Sequence, residues 1–232
     1  MKWFFQVLIL LTLNATASAA QPASIQASYE VFMSGMKVGK IEETYTRVAD
    51  HYTLNSVTTP LGLLAMFKPE KVFLSSQGMI TKQGLRPDYF EDKREGNPAK
   101  SSQARFDWPA KKLTLIRQTL RTPLDLPEGT QDRLSAMYQF MYINLKNIDT
   151  LDFFMTNGSK LDNYHYTVGV REKIDTPAGQ FDSIYLETQN KPGESRTEIW
   201  LSAENNLPCK MLITDAQGDQ YTQILSGLKI TP

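Results

Sequence analysis

Apolar and polar residues alternate with a period of two along much of this chain. Ile25, Ala27, Tyr29, Val31 and Met33 alternate with Gln26, Ser28, Glu30 and Phe32. Ala104, Phe106 and Trp108 alternate with Arg105 and Asp107, and Tyr164, Tyr166, Val168 and Val170 with His165, Thr167, Gly169 and Arg171. Successive strand side chains point to opposite faces, so each run predicts a strand with one buried and one wetter face, the usual pattern of antiparallel sheets. Turn clusters separate these runs at hairpin spacing: Ser34-Gly35, Trp108-Pro109-Ala110-Lys111, Thr176-Pro177-Ala178-Gly179 and Gln217-Gly218-Asp219. Gly supplies positive φ and Pro presets φ, which gives each cluster a reason to reverse the chain. The pattern predicts a mainly β chain of about ten or eleven strands.

One segment departs from this pattern. Leu134, Met137, Tyr138, Met141 and Leu145 recur at intervals of three and four, which predicts one helix from Gln131 to Lys146 packed on the sheet. Thr130 is placed to cap it, and Asp132 suits the positive end of the helix dipole. Pro123 and Pro127 fall in the expected connection before it. A second apolar stretch, Leu61 to Phe67, lies between Pro60 and Pro69 and is too short and too closely bounded to predict a helix. Glu91–Lys100 reads as a solvated strand end and loop. Strand-rich sequence on both sides of the helix predicts a single β-rich domain over residues 21–232.

The first twenty residues differ in kind from the rest. Lys2 precedes the apolar run from Trp3 to Leu13, and Ala17-Ser18-Ala19 has the small-residue form of a cleavage site. That order predicts a secretory signal peptide over residues 1–20, removed after Ala19 or Ala20. Its apolar run is too short to span a bilayer. No later segment is apolar enough to do so, which predicts no transmembrane anchor after cleavage. Removal takes Lys2 and leaves 24 Lys and Arg against 25 Asp and Glu. This balance argues against a nucleic-acid partner. The single cysteine, Cys209, has no internal partner, so the chain depends on packing.

Candidate chemistry is sparse. The two histidines, His51 and His165, are at no metal-ligand spacing to one another, and His165 falls on the polar side of its strand. No nucleophile-elbow, phosphate-loop or dinucleotide motif occurs. Glu42-Glu43 and Glu91-Asp92 are strand neighbours that point apart. Asp175 to Gly179 reads as a hairpin turn, and Asp215 to Asp219 lacks calcium-loop spacing. Cys209 is in phase with Met211 and Ile213, which predicts a buried thiol. No catalytic residue, metal or cofactor is assigned.

Several segments together resemble a known family. They are Tyr29–Gly39, Gly78 with Gly84-Leu85-Arg86-Pro87-Asp88-Tyr89-Phe90, Asp132-Arg133-Leu134-Ser135 ahead of Tyr138, Thr176–Phe181, and Glu198–Ser202 with Leu207-Pro208. Their order over residues 25–228 resembles the exported bacterial family catalogued as domain of unknown function 3108. The resemblance implies a periplasmic location and a strongly curved antiparallel sheet or open β-barrel, and it carries over no catalytic residue. Two functions fit such a fold. Its concave face can hold a lipid-like or other apolar envelope molecule, lined by Leu63, Leu64, Met66, Phe67, Met137 and Met141. Alternatively side chains fill the core, and the protein is a structural or interaction partner of another envelope protein.

Overall fold

The computed structural model describes residues 21–67, 69–188 and 194–232, the side chains of Leu63 and Leu64 excepted. The expected signal peptide, residues 1–20, lies outside the described residues. Fifteen strands form one continuous sheet. Its first half is β1 (Ser24–Met33), β2 (Met36–Val48), β3 (His51–Pro60), β4 (Val72–Thr81), β5 (Gly84–Arg94), β6 (Ser102–Asp107), β7 (Lys112–Arg117) and β8 (Leu120–Asp125). Its second half is β9 (Gln131–Asp132), β10 (Thr150–Thr156), β11 (Leu161–Thr176), β12 (Gly179–Thr188), β13 (Arg196–Ser202), β14 (Pro208–Thr214) and β15 (Gln220–Thr231). Each strand pairs with its chain neighbour except at one place, between β8 and β9. β1 and β15 join the halves antiparallel at the centre of the sheet, and β8 and β9 are left as its two edges.

The number of strands exceeds the ten or so read from sequence. Short or charged strands such as β8 carry no clean alternation, and Pro123, expected in a connection, sits inside that strand opposite Thr114. A proline on an exposed edge strand blocks pairing with another chain at no cost to the ladder. The sheet curls into a barrel that does not close by a ladder. Its flanks meet through side chains instead: the Ser102 hydroxyl donates to the Asn157 carbonyl at 3.0 Å, and the Gln131 amide to the Leu85 carbonyl at 2.8 Å. Gly158 sits at this seam with φ +82, and a Cβ there would lie 2.6 Å from Ser102 Oγ. In β11 a bulge between Val168 and Arg171 breaks the expected alternation and turns Val170 outward, 78% exposed.

The single long helix is also corrected. Gln131 and Asp132 pair with Met155 and Thr156 as the parallel strand β9. The helical part is only α2 (Ser135–Gln139) with a 3-10 turn over Phe140–Tyr142. The start is set by Asp132 rather than Thr130. One Asp132 carboxylate oxygen accepts the backbone N–H groups of Leu134 and Ser135 at 2.9 and 2.8 Å, and the other accepts the Ser76 hydroxyl at 2.6 Å. The apolar spacing does its expected work within this shorter element. Leu134, Tyr138, Phe140 and Leu145 are buried, and Met137 packs against both main apolar clusters. Tyr138 stacks on Tyr45 with ring centroids 5.8 Å apart, and Phe140 meets Tyr166 edge to face. Between Pro60 and Pro69, where no helix was predicted, the chain forms α1 (Gly62–Phe67).

Candidate functional site

α2 enters the barrel and fills one end of it. Its Gln139 side chain donates to the Gln83 carbonyl and accepts the Leu85 N–H, and the Tyr142 hydroxyl lies 3.2 Å from that of Tyr45. Asn206, in the turn between β13 and β14, donates to the Phe140 and Ile143 carbonyls. All of these partners belong to one end of the barrel, where β2 finishes and β3 begins. α1 lies at the other end: the Leu61 N–H donates to the Val38 carbonyl at 2.8 Å, near the start of β2. Seven residues of strand separate Val38 from Tyr45, or roughly 23 Å.

Exposure of the inward-facing residues follows this asymmetry. Along β1, Ile25, Ala27 and Tyr29 are buried, whereas Val31 and Met33 are partly open. Along β3, Tyr52, Leu54 and Ser56 are buried and Thr58 is partly open; along β2, Tyr45 is buried, Glu43 and Ile41 are partly open, and Gly39 beneath α1 is buried again. In β14 and β15, Cys209 and Leu225 are buried, while Met211 and Gln223 are partly open and Ile213 and Tyr221 exposed. Paired residues share a face, and the pairs Met33–Tyr221 and Ile213–Tyr221 place these mouth residues together. The barrel is therefore plugged at the α2 end and open at the α1 end.

The floor of the open half is polar. Arg133, at the apex where the chain turns from β9 into α2, reaches Asp92 on β5 at 3.4 Å. Asp92 is also held by Arg94 through two bonds of 2.8 and 3.1 Å. Across the lumen Glu43 accepts the Tyr138 hydroxyl at 3.1 Å and the Ser56 hydroxyl at 3.2 Å. Burial pushes the Glu43 carboxyl above its ordinary value, against the pull of those two donors and of Arg133. Burial also pushes the Arg133 guanidinium down, with Asp92 holding it up. Tyr164 on β11 feels the charge of Arg133 from a third side.

The structure does not bring the six sequence-derived ligand residues together. Met66 and Phe67 stand on α1 at the mouth, 76% and 79% exposed, with Met36 exposed at the start of the adjoining β2. Leu63 and Leu64 belong to the same helix. Met137 and Met141 sit in the plug, packed against the core. Sequence reading missed Glu43, Asp92, Arg94 and Arg133. For two of them the signal was phase: Glu43 is in phase with Tyr45 and Asp92 with Phe90, so each charge falls on the buried face of its strand.

Other candidates are less suited to hold a ligand. A groove of about 580 Å³ lies on the outer wall among Gln77, Arg86, Asp88, Tyr89, Arg105 and Trp108. It is shallow and charged; the open half of the barrel is marked by the exposure of its wall residues, not by a cavity volume. His165 pairs with Asp152 at 2.6 Å and His51 with Asp50 at 2.8 Å, both exposed. Among the described residues no group of three or more His, Cys, Asp and Glu side chains is placed to hold a metal. Cys209 is 1% exposed, and burial pushes its thiol up to about 12. It is expected to label slowly with a thiol reagent until the protein unfolds, and Cys209→Ser to cost about 1–3 kcal/mol by chemical denaturation.

The family model described as a protein of unknown function, DUF3108, matches residues 28–225. The chain belongs to the DUF3108 family. No curated protein matches it. Among solved structures, a DUF3108 chain of this shape is similar to a β-barrel-like protein of the DUF1849 family from Brucella abortus. The identity is 13%, over 92% of this chain and 100% of the other, with a TM-score of 0.59, a likeness of fold alone. Weaker likenesses are to a protein with a YmcC-like fold from Bacteroides fragilis, at 12% identity over 90% and 96% of the two chains and a TM-score of 0.38. Another is to a DUF1329 family protein from Desulfovibrio piger, at 11% over 90% and 86% with a TM-score of 0.27. Nothing is drawn from these two. No helix among the described residues of this DUF3108 protein is long and apolar enough to cross a membrane.

Proposed function

We propose that this DUF3108 protein is a periplasmic binding module for a lipid-like molecule. It would be exported by the segment over residues 1–20 and would work as a single domain over residues 21–232. The reading rests on one observation, the graded exposure of the inner wall along β1, β3, β14 and β15: residues on a single face of these strands pass from buried at the α2 end to open at the α1 end. A barrel filled throughout by side chains would bury that face along its whole length. The open wall carries Val31, Ile41, Val72 and Met211, an apolar surface suited to a chain-like ligand. α1 at the mouth presents Met66 and Phe67 to solvent, where they would cover the ligand once it is bound.

Organic extraction of protein purified from the periplasm, followed by mass spectrometry, tests this reading. Acyl-chain material released in amounts comparable to the protein supports it; none, together with no uptake of a fluorescent fatty-acid probe, counts against it. Phe67→Asp separates the role of α1 from that of the wall. At 79% exposure Phe67 contributes little packing, so the change is expected to move stability by no more than about 0.5 kcal/mol. Probe uptake is expected to weaken. A large loss of stability would show that Phe67 packs as core instead.

A further inference from the structure

The polar floor is more than a structural ion-pair network. Arg133 neighbours Glu43 on β2, Asp92 on β5 and Tyr164 on β11, yet its side chain is 39% exposed. A guanidinium carries five N–H donors. Among the described residues the Arg133 guanidinium makes a single hydrogen bond, to Asp92 at the long distance of 3.4 Å. Asp92 is already engaged by Arg94 through two shorter bonds. The cluster thus holds Arg94 and Arg133 around Asp92, with Glu70 3.9 Å from Arg94 on the far side, and leaves most of the Arg133 donors without a protein acceptor.

From this placement we infer that Arg133 is a headgroup site, and that the molecule taken into the lumen is an anionic amphiphile with a carboxylate or phosphate at one end. The inference rests on the binding-module reading and gives the ligand its chemical class and its direction. The anion forms the fork of charge-assisted bonds that a guanidinium offers. Its chain extends past Val31, Ile41 and Met211 toward the mouth at Met33, Tyr221 and Phe67. Glu43 does not oppose this. Its carboxyl is pushed upward by burial, so it takes up a proton more readily than an exposed glutamate when a second negative charge arrives nearby. Protonated, Glu43 can donate a hydrogen bond to the headgroup.

The test compares a long-chain fatty acid with the alcohol of the same chain length, each titrated against the delipidated protein and its Arg133→Gln variant. The wild-type protein is expected to bind the acid about tenfold or more tightly than the alcohol, the worth of a charge-assisted hydrogen bond. Arg133→Gln is expected to bring the acid down to the alcohol while leaving the alcohol unchanged. Equal binding of acid and alcohol by the wild-type protein overturns the headgroup site and leaves the binding module standing, a result that needs no variant to fold. Retention of the preference in Arg133→Gln also overturns it. Inorganic phosphate that displaces the acid at equal concentration shows a free-anion site instead and overturns the amphiphile. Failure of both acid and alcohol to bind overturns the binding module itself.

Discussion

Replacing Asp132 by Ala is expected to cost about 3–5 kcal/mol, read as a shift in the denaturation midpoint at neutral pH. Asp132 is fully buried, and its two carboxylate oxygens accept the Leu134 and Ser135 N–H groups and the Ser76 hydroxyl. Removing them strands three donors in the barrel interior and releases the turn that starts α2. The plug would loosen as a unit, so the Tyr45–Tyr138 stack and the Asn206 bonds to Phe140 and Ile143 should be lost with it. A cost below about 1 kcal/mol would show that α2 is held by packing alone.

The same residue sets a pH dependence of unusual sign. Burial raises the Asp132 carboxyl from its ordinary 3.8 to about 6. The folded chain therefore holds this proton more tightly than the unfolded chain does. The stabilisation it brings is fully present below about pH 4 and is lost as the pH rises through 6, a difference of about 3 kcal/mol from this group. Glu43, raised by burial, acts in the same direction. Thermal unfolding followed from pH 4.5 to 7.5 is expected to show this component falling with pH. Asp132→Asn, which retains the oxygen for the two backbone donors, is expected to flatten the profile relative to wild type. An unchanged slope in that variant would assign the pH dependence to other groups.

The second large effect is on binding. Ile41→Arg places a charge on the inner wall of the open half, where the residue is partly accessible. The guanidinium can reach water through the mouth of the empty barrel, so stability should change little. With an acyl chain in the lumen, the charge must be desolvated against hydrocarbon, and fatty-acid affinity is expected to fall roughly a hundredfold or more. Val31→Arg, one strand away, is expected to behave alike. Unaltered probe affinity in both variants would mean that the probe binds elsewhere on the molecule.

Much of the fold was legible because it rests on local rules. The alternation from Ile25 to Met33 marked β1 and its inner face, and Ser34-Gly35 turns the chain with both residues at positive φ. Cys209 is buried as its phase required. What failed was set by distant parts of the chain. Gln131 and Asp132 were read as helix because nothing near them announces their pairing with β10. Pro123 was read as connection because only the edge position of β8 makes a proline tolerable there. The site was the least legible part. Glu91–Lys100 reads as solvated because it is charged, yet Asp92 is 4% exposed, held by Arg94 from its own strand and approached by Arg133 from another element. A charged residue in the buried phase of a strand was the available clue. The alternation rule treats such a residue as noise unless a partner from elsewhere in the chain is considered.

The most direct test of the binding module is a titration of the delipidated protein with a fluorescent fatty acid, followed by displacement with the unlabelled acid. A binding module gives saturation at one probe per chain, full displacement, and loss of the signal in Ile41→Arg while the thermal midpoint stays in place. A signal that never saturates, or one that survives Ile41→Arg unchanged, would contradict it.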